Sequence, residues 1–598
     1  MDQDFSLLSR ELVAVAVGNA PADLVIRNAR WVCVQSGEII PNTDIAIIGQ
    51  RIAFVGSDAS HTVQALTEII DADDRYVSPG LLDGHMHVES QMLTITEFVR
   101  TVVAYGTTGV FIDPHEITNV FGLEGVRLMV DETAEQPIHV WVQVPSCVPS
   151  APGLETSGAV IGPDEVAEAM TWKGIIGLGE MMNFPGVIAG DPEVHTEMSI
   201  TRLADKVIGG HYASADLGIP FHGYVAGGPE DDHESLTMQD AVQRIRQGMK
   251  AMVRFGSSEH DVDDQVRAIT ELGLDGRHFI LCTDDCHAET LVEEGHVNRA
   301  VRRAIARGLS PIQAYQMATI NTAEHFGVSR DVGQIAPGRY ADFVIYEDFI
   351  DVKPAIVFAK GQKIAEGGKL CCTIPDFPLP DWSRASVSIE RELSEDDFKI
   401  QIPQALGPRS TIHANVIGII EDHVTTRHLK MEIPVSDRQI FSDVVRDIAK
   451  LAVVDRYHGD GSVQMGLVNG FGFTSPCAVA STVSHDCHQM VVVGTSEVDM
   501  AIAANKLVQV GGGQIVVREQ EVIALLKLPI AGLMSDEPAH VVARNAQEII
   551  TGFQLCGCQI NNPNMPLSFL ALVVIPDLRL SDKGLVDVNR FDFIPLVE

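Results

Sequence analysis

The chain has 598 residues, 45% hydrophobic and 21% charged, the balance of a globular protein too long for a single core. Its formal charge of −38 excludes nucleic acid and anionic membrane as partners and leaves room for a small neutral or cationic substrate. No apolar run approaches the ~20 residues of a spanning helix, Met1-Asp2-Gln3-Asp4 lacks a leader's basic start, and the ten cysteines are scattered, so a cytoplasmic protein with reduced thiols is expected.

Residues 22–75 read as short strands separated by Gly, Asn and Pro turns: Asp23–Ile26, Trp31–Val34, Asp44–Ile48 and Arg51–Val55. A similar stretch returns at Asp342–Tyr346, Ile356–Ala359 and Gln362–Ala365, so the two flanks, 1–76 and 333–375, are expected to form one small β-domain. Between them, 77–332 alternates strand and helix patterns. The strand candidates are Tyr76–Leu82, Thr107–Ile112, Ile138–Val144, Gly174–Leu178, Pro220–Phe221, a short one before Asp232, Ala251–Arg254 and Phe279–Cys282. Amphipathic helical stretches such as Leu93–Ala104, Pro163–Met170 and Ile200–Ala213 lie between them. Eight strands in about 250 residues predict an α/β fold built on a (β/α)8 TIM-like barrel, whose chemistry sits at the C-terminal strand ends. The weak point is the sixth strand, because Gly223–Asp231 leaves little room for a helix before it, and a doubly wound open sheet is the alternative on pattern alone. Beyond the Pro-rich junction Pro375–Pro380, residues 376–598 read as a C-terminal α/β domain, from the β-branched runs Val491–Val493 and Ile515–Val517 and the helix-like Ser496–Val508.

Chemistry-bearing residues follow the strands. The first is followed by His85 and His87, which at i and i+2 project to one side. After the second comes Asp113-Pro114-His115-Glu116, after the fourth Glu180, after the fifth His222, after the sixth His233, and after the eighth Asp284. A single such histidine is more often a core or surface residue, and Cys282/Cys286 and Cys556/Cys558 have metal-like spacing but no second matching pair. Jointly, His85, His87, Glu180, His222, His233 and Asp284 at the ends of different strands are hard to explain as packing. Imidazole and carboxylate donors suit two divalent transition-metal ions, manganese or ferrous iron with zinc as a further choice, and Glu180 in the middle is placed to bridge them.

These residues carry a resemblance. The strand-end set, the flanking β segments and Gly333–Asp342, which looks like a return strand, resemble the amidohydrolase superfamily. More narrowly, the chain resembles the bacterial-type adenine deaminase family. The motifs are Asp83-Gly84-His85-Met86-His87-Val88-Glu89-Ser90, Asp113-Pro114-His115-Glu116-Ile117, the run from Gly177 to Val187, and Ser484-His485-Asp486-Cys487-His488 with Gly511-Gly512-Gly513 after it. There are departures: Arg254-Phe255-Gly256-Ser257 has Phe255 where the family tends to have Glu, Glu259 lies farther along, and Phe221-His222-Gly223-Tyr224 lacks the expected wording around its histidine.

The resemblance implies hydrolytic deamination of adenine to hypoxanthine and ammonia in purine salvage. A Lewis-acid metal lowers the pKa of bound water to about 7. Asp284 is then the acceptor of its proton, and Glu89, Glu116 and Glu234 are candidates for the acid that protonates the ring, each equally readable as a supporting carboxylate. Ser90, His115, Arg254 and Met182 are candidate substrate contacts; Arg254 is equally a structural salt bridge, and Met181, Met182 and Phe184 equally core. His87-Val88-Glu89 matches half of the base-flipping deaminase signature, but no Pro-Cys-x-x-Cys completes it. The partner expected is a small purine, with a homodimer as assembly. The competing readings are another cyclic amide or imide hydrolase of the superfamily and a non-catalytic assembly paralogue.

Overall fold

The computed structural model describes residues 5–421 and 423–597; Met1–Asp4, read above for a leader, lie outside them. Eight parallel strands form the barrel: β1 (Leu81–Met86), β2 (Thr107–Ile112), β3 (His139–Val144), β4 (Ile175–Met181), β5 (Val207–Gly210), β6 (Asp231–Asp232), β7 (Lys250–Arg254) and β8 (Phe279–Cys282). β1 to β5 pair in order, as do β6 to β8. The two arcs meet at both seams. Asp284 N donates to His85 O at 3.0 Å beside a parallel Met86–Asp284 bridge, and Glu230 N donates to Ile208 O at 2.9 Å. Alternate residues point inward, and Phe111, Met252, Ile280 and Cys282 pack with Trp141 as the barrel's own core.

The apolar run Tyr76–Leu82 is not one strand. It divides at Gly80, where a Cβ would lie 2.1 Å from Thr108 Oγ1. Tyr76–Pro79 joins the small sheet, pairing with Leu24–Cys33 on one side and Phe343–Asp348 on the other, and β1 starts afresh at Leu81. The two flanks thus share one nine-stranded sheet. The Gly333–Asp342 return is a loop, held to the sheet by an Arg51–Tyr340 bridge, and the strand proper begins at Phe343.

The fifth-strand expectation is corrected. Pro220–Phe221 lies in the helix Ile219–Gly227, whose proline sits in its first turn where a missing N–H costs nothing. The strand is Val207–Gly210, inside the stretch expected to be helical, which ends at Leu203. The helix before β6 therefore starts earlier than Gly223, at Ile219, which supplies the room.

The C-terminal unit is a ten-stranded sheet, largely antiparallel, carrying the helices Glu497–Val510 and Ala539–Leu555. It lies over the barrel mouth: Ser535 N donates to Met92 O at 2.9 Å, and Gln489 Nε2 to Thr156 O at 3.1 Å. Among the described residues no helix is long and apolar enough to cross a membrane.

One barrel helix gives a pH-dependent prediction. Glu197, on Pro192–Leu203, is buried beside Glu193, Asp191 and Glu165; burial first, then these charges, push its carboxyl up to about 8. The folded chain therefore holds a proton that the unfolded chain, at the ordinary 4.5, gives up. Stability from this group is full below that value and falls as pH rises towards about 8. Glu197→Gln is thus expected to melt higher than the parent near pH 9 and with it near pH 4, by thermal denaturation at both; an equal offset at both would refute the assignment.

Candidate metal centre

β1 delivers His85 and His87 to the barrel mouth because the strand packs tightly on β8. At Gly84 a Cβ would lie 2.4 Å from Ile280 Cγ2. Buried Asp83 accepts from Thr283 N (3.1 Å) and Thr283 Oγ1 (2.7 Å), tying β1 to the segment that carries Asp284. Asp284 has a positive φ of 56°, a conformation aspartate tolerates better than most residues.

Glu180, at the end of β4, is aimed by Asp113. Its N–H donates to Asp113 Oδ2 at 2.7 Å, while Asp113's carbonyl accepts from His87 Nδ1 at 2.8 Å. One residue after β2 thus orients two candidate ligands. Gly179 makes this possible: a Cβ there would fall 2.1 Å from Asp113 Oδ2. Gly179→Ala is expected to lower bound metal and turnover by about tenfold or more, the scale for losing a supporting shell; elemental analysis beside initial rates checks it, and parent metal content would contradict it.

The side chains then converge. Glu180 Oε1 is 2.9 Å from His85 Nε2 and 3.0 Å from His87 Nε2, and Asp284 Oδ1 is 3.6 and 3.2 Å from the same two nitrogens. A second group shares Glu180: His211 Nδ1 is 3.1 Å from Oε2 and His233 Nε2 is 3.3 Å from Oε1. The two sets, His85/His87/Glu180/Asp284 and Glu180/His211/His233, each hold their ligand atoms within 4.8 Å of one another. No cysteine joins such a group among the described residues, and all ten cysteines are free.

His222 is not in the cluster. It lies exposed on the helix Ile219–Gly227, and His211, directly after β5, stands where His222 was expected. The misplacement of the fifth strand carried the histidine with it. The local signal was Gly209-Gly210-His211, a short β-terminus followed by a donor.

The donor set fits a divalent cation. His87 Nδ1 carries the proton it gives to Asp113, so Nε2 turns its lone pair towards Glu180 and Asp284 oxygens. In that tautomer a nitrogen lone pair and two carboxylates at this range repel one another unless a cation lies between them; without one, a proton on Nε2 takes that place. The electrostatics agree. Burial opposes charge on His87, yet Glu180 and Asp284 hold it well above the ordinary imidazole range. Burial likewise opposes charge on Glu180, yet His211, His233 and His87 hold it well below the carboxylate range. A pocket that binds a proton this firmly offers a cation the same field.

The remaining expected residues surround this centre unevenly. Glu89 is buried; Oε1 accepts from Ile117 N at 3.2 Å, Oε2 has no partner, and burial pushes the carboxyl up to about 7. Ser90 Oγ donates to Glu116 Oε1 at 3.1 Å and also contacts Asp285. Glu116 in turn lies 3.5 Å from His485 Nδ1 of the C-terminal unit. The His115 ring packs edge-on against His87 at 4.7 Å and its Nδ1 is unpartnered. Arg254 is held by three carboxylates: Nη1 is 2.6 Å from Glu234 Oε1 and 3.2 Å from Asp284 Oδ2, and Nε is 2.7 Å from Asp261 Oδ2. The salt-bridge reading of Arg254 is the one its geometry supports, and it fixes Glu234 as an ionised partner. Met182 is half-buried and does not line the cavity between barrel mouth and C-terminal unit. Glu259, which lies farther along the chain than the carboxylate Phe255 replaces, does line that cavity, and burial pushes its carboxyl up to about 8.

Residues 76–367 match the amidohydrolase family, and residues 423–592 match the adenine deaminase C-terminal domain. The chain is 53% identical over 589 residues to the adenine deaminase of Mesorhizobium japonicum, covering 98% of this chain and 97% of that protein. It is 52% identical over 592 residues to adenine deaminase 3 of Rhizobium meliloti, covering 99% of each. To the adenine deaminase of Moorella thermoacetica it is 49% identical over 590 residues, covering 99% of this chain and 98% of that protein.

Proposed function

We infer how the site works from one premise: the chain belongs to the adenine deaminase family, within the amidohydrolases, and hydrolyses adenine to hypoxanthine and ammonia. The amidohydrolase match and the buried His/Asp/Glu groups point to a divalent metal. Our reading takes two ions, manganese or ferrous iron with zinc as a further choice. His85, His87 and Asp284 would hold one, His211 and His233 the other, with Glu180 shared. Bound there, divalent cations act as Lewis acids that make water a nucleophile near neutral pH.

The chain's own groups then move protons. In the net reaction a bond forms between water oxygen and C6, and the bond from C6 to the amino nitrogen breaks. Asp284, facing the cluster through Oδ1, accepts one water proton and returns it to the departing amine. Glu89, a buried carboxyl with a free Oε2, donates to the ring nitrogen and recovers a proton from the same water. Arg254 holds Asp284 and Glu234 in place, and Asp113 holds His87 and Glu180. Closure of the mouth by the C-terminal unit limits bulk water, which strengthens each of these interactions. For assembly we keep a homodimer; exposed Phe5, Leu7 and Val13 on the helix Phe5–Ala16 support it.

The observation that carries the two-ion reading is Glu180, with Oε1 towards His85, His87 and His233 and Oε2 towards His211. Metal-free protein titrated with Mn(II) should regain adenine deamination up to two equivalents per chain. A plateau at one equivalent would overturn it.

A further inference from the structure

The cavity over the barrel mouth has two unlike walls. One comes from the barrel and includes Ser90, Glu259 and Asp285; the other comes from the C-terminal unit and includes His485, Gln514, Asn564 and Phe569. Ser90 and Asp285 touch each other, Ser90 Oγ also donates to Glu116 Oε1, and Asp285 directly follows Asp284 in the chain, so this wall is built from the segments that carry the candidate ligands. The opposite wall has an aromatic surface, with the Phe569 ring 5.0 Å from the His485 ring and inclined at 32°, and His485 N anchored on Ser568 O at 2.9 Å. It also has two acceptors without a partner in the protein, Gln514 Oε1 and Asn564 Oδ1. Gln514 is only 3% exposed, so its unpaired oxygen is a buried polar atom that some ligand N–H would satisfy.

We propose that the C-terminal unit reads the five-membered-ring edge of the purine, with Phe569 and His485 against the ring face and Gln514 and Asn564 accepting its ring N–H. This rests on the reading above that C6 faces His85, His87, Glu180 and Asp284. A planar purine held with C6 at that end presents its imidazole edge at the far end, towards the C-terminal wall. That edge carries one N–H in the free base and none when N9 bears a substituent. Acceptors there select the free base over 9-substituted purines, because a buried acceptor left unpaired costs far more than a lost apolar contact. The wall therefore sets specificity and affinity without touching the reacting carbon.

The test uses the full-length, metal-loaded enzyme and the variants Gln514→Leu, Asn564→Leu and Phe569→Leu. Gln514→Leu keeps the volume and removes an atom with no partner in the protein, so the fold is expected to tolerate it. For Gln514→Leu and Asn564→Leu, KM for adenine should rise about tenfold or more with kcat within about threefold of the parent. The preference for adenine over 9-methyladenine should fall by a similar factor. Phe569→Leu should raise KM for both compounds alike. Hypoxanthine binding by calorimetry supplies a readout independent of turnover and should weaken in parallel. Parent-like KM and hypoxanthine affinity in both amide variants would overturn the proposal, as would a fall in kcat at unchanged KM. The metal content of the parent and its titration with Mn(II) report separately on the two-ion reading, so the two can fail independently.

Discussion

Glu180→Gln is expected to lower kcat/KM for adenine by about a thousandfold or more and to reduce bound metal to less than half of the parent's. The reason lies in how one carboxylate is shared. Its Oε1 serves His85, His87 and His233, and its Oε2 serves His211. Glutamine keeps the shape but offers one oxygen and one NH2 group. Whichever way the amide turns, one of the two donor sets meets N–H bonds where it had a negatively charged oxygen. The site also loses the charge that sits between five candidate ligands, and metal binding follows ligand charge. Loss of metal alone does not demonstrate a bridge, so the informative measurement is stoichiometry. Elemental analysis of protein loaded with Mn(II) should give a deficit at both positions, where a terminal ligand would affect one. Parent metal content with parent turnover would rule the role out. The fold is expected to persist, because Asp113 can still accept from the residue's backbone N–H.

The sequence made the ends of β2 and β8 legible, since Thr107–Ile112 and Phe279–Cys282 are apolar β-rich runs with clear limits and Asp113 and Asp284 follow closely; at β1 and β4 the candidate ligands His85 and Glu180 lie inside the strands. It misled at β5. Val207–Gly210 is four residues long and half glycine, and the apolar positions before it continue the helical spacing of Pro192–Leu203 without a break. Pro220–Phe221-His222 imitated a strand followed by a donor, although proline early in a helix was the available warning. β6 is two residues long and shows no period at all. Most of the C-terminal sheet was missed for a different reason. Thr411–Ile419 and Thr426–Ser436 alternate buried and exposed positions only in part, and their pairing is a tertiary fact. The same holds for the meeting of His485 with Glu116: the motifs were visible, but only folding brings the C-terminal unit over the barrel mouth.

Asp284→Asn should separate ligation from proton transfer. The expected outcome is a fall in kcat of about a thousandfold, with KM for adenine within about threefold and most of the metal retained. Asp284 is one of four groups in its set, and the set formed by Glu180, His211 and His233 does not use it, so the second position should load normally. An asparagine oxygen can still face His85 and His87, but its NH2 group would then face Arg254, which now stands 3.2 Å from Oδ2. Some weakening of the first position follows from that clash of donors, and Glu234 and Asp261 still neutralise the guanidinium. What asparagine cannot do is accept a proton from water. A residue that only held metal would show activity falling in proportion to metal lost. A proton acceptor shows activity falling far below the metal that remains. Initial rates divided by metal content, measured on the same preparation, distinguish these outcomes, and a ratio within about tenfold of the parent's would remove Asp284 from the proton path.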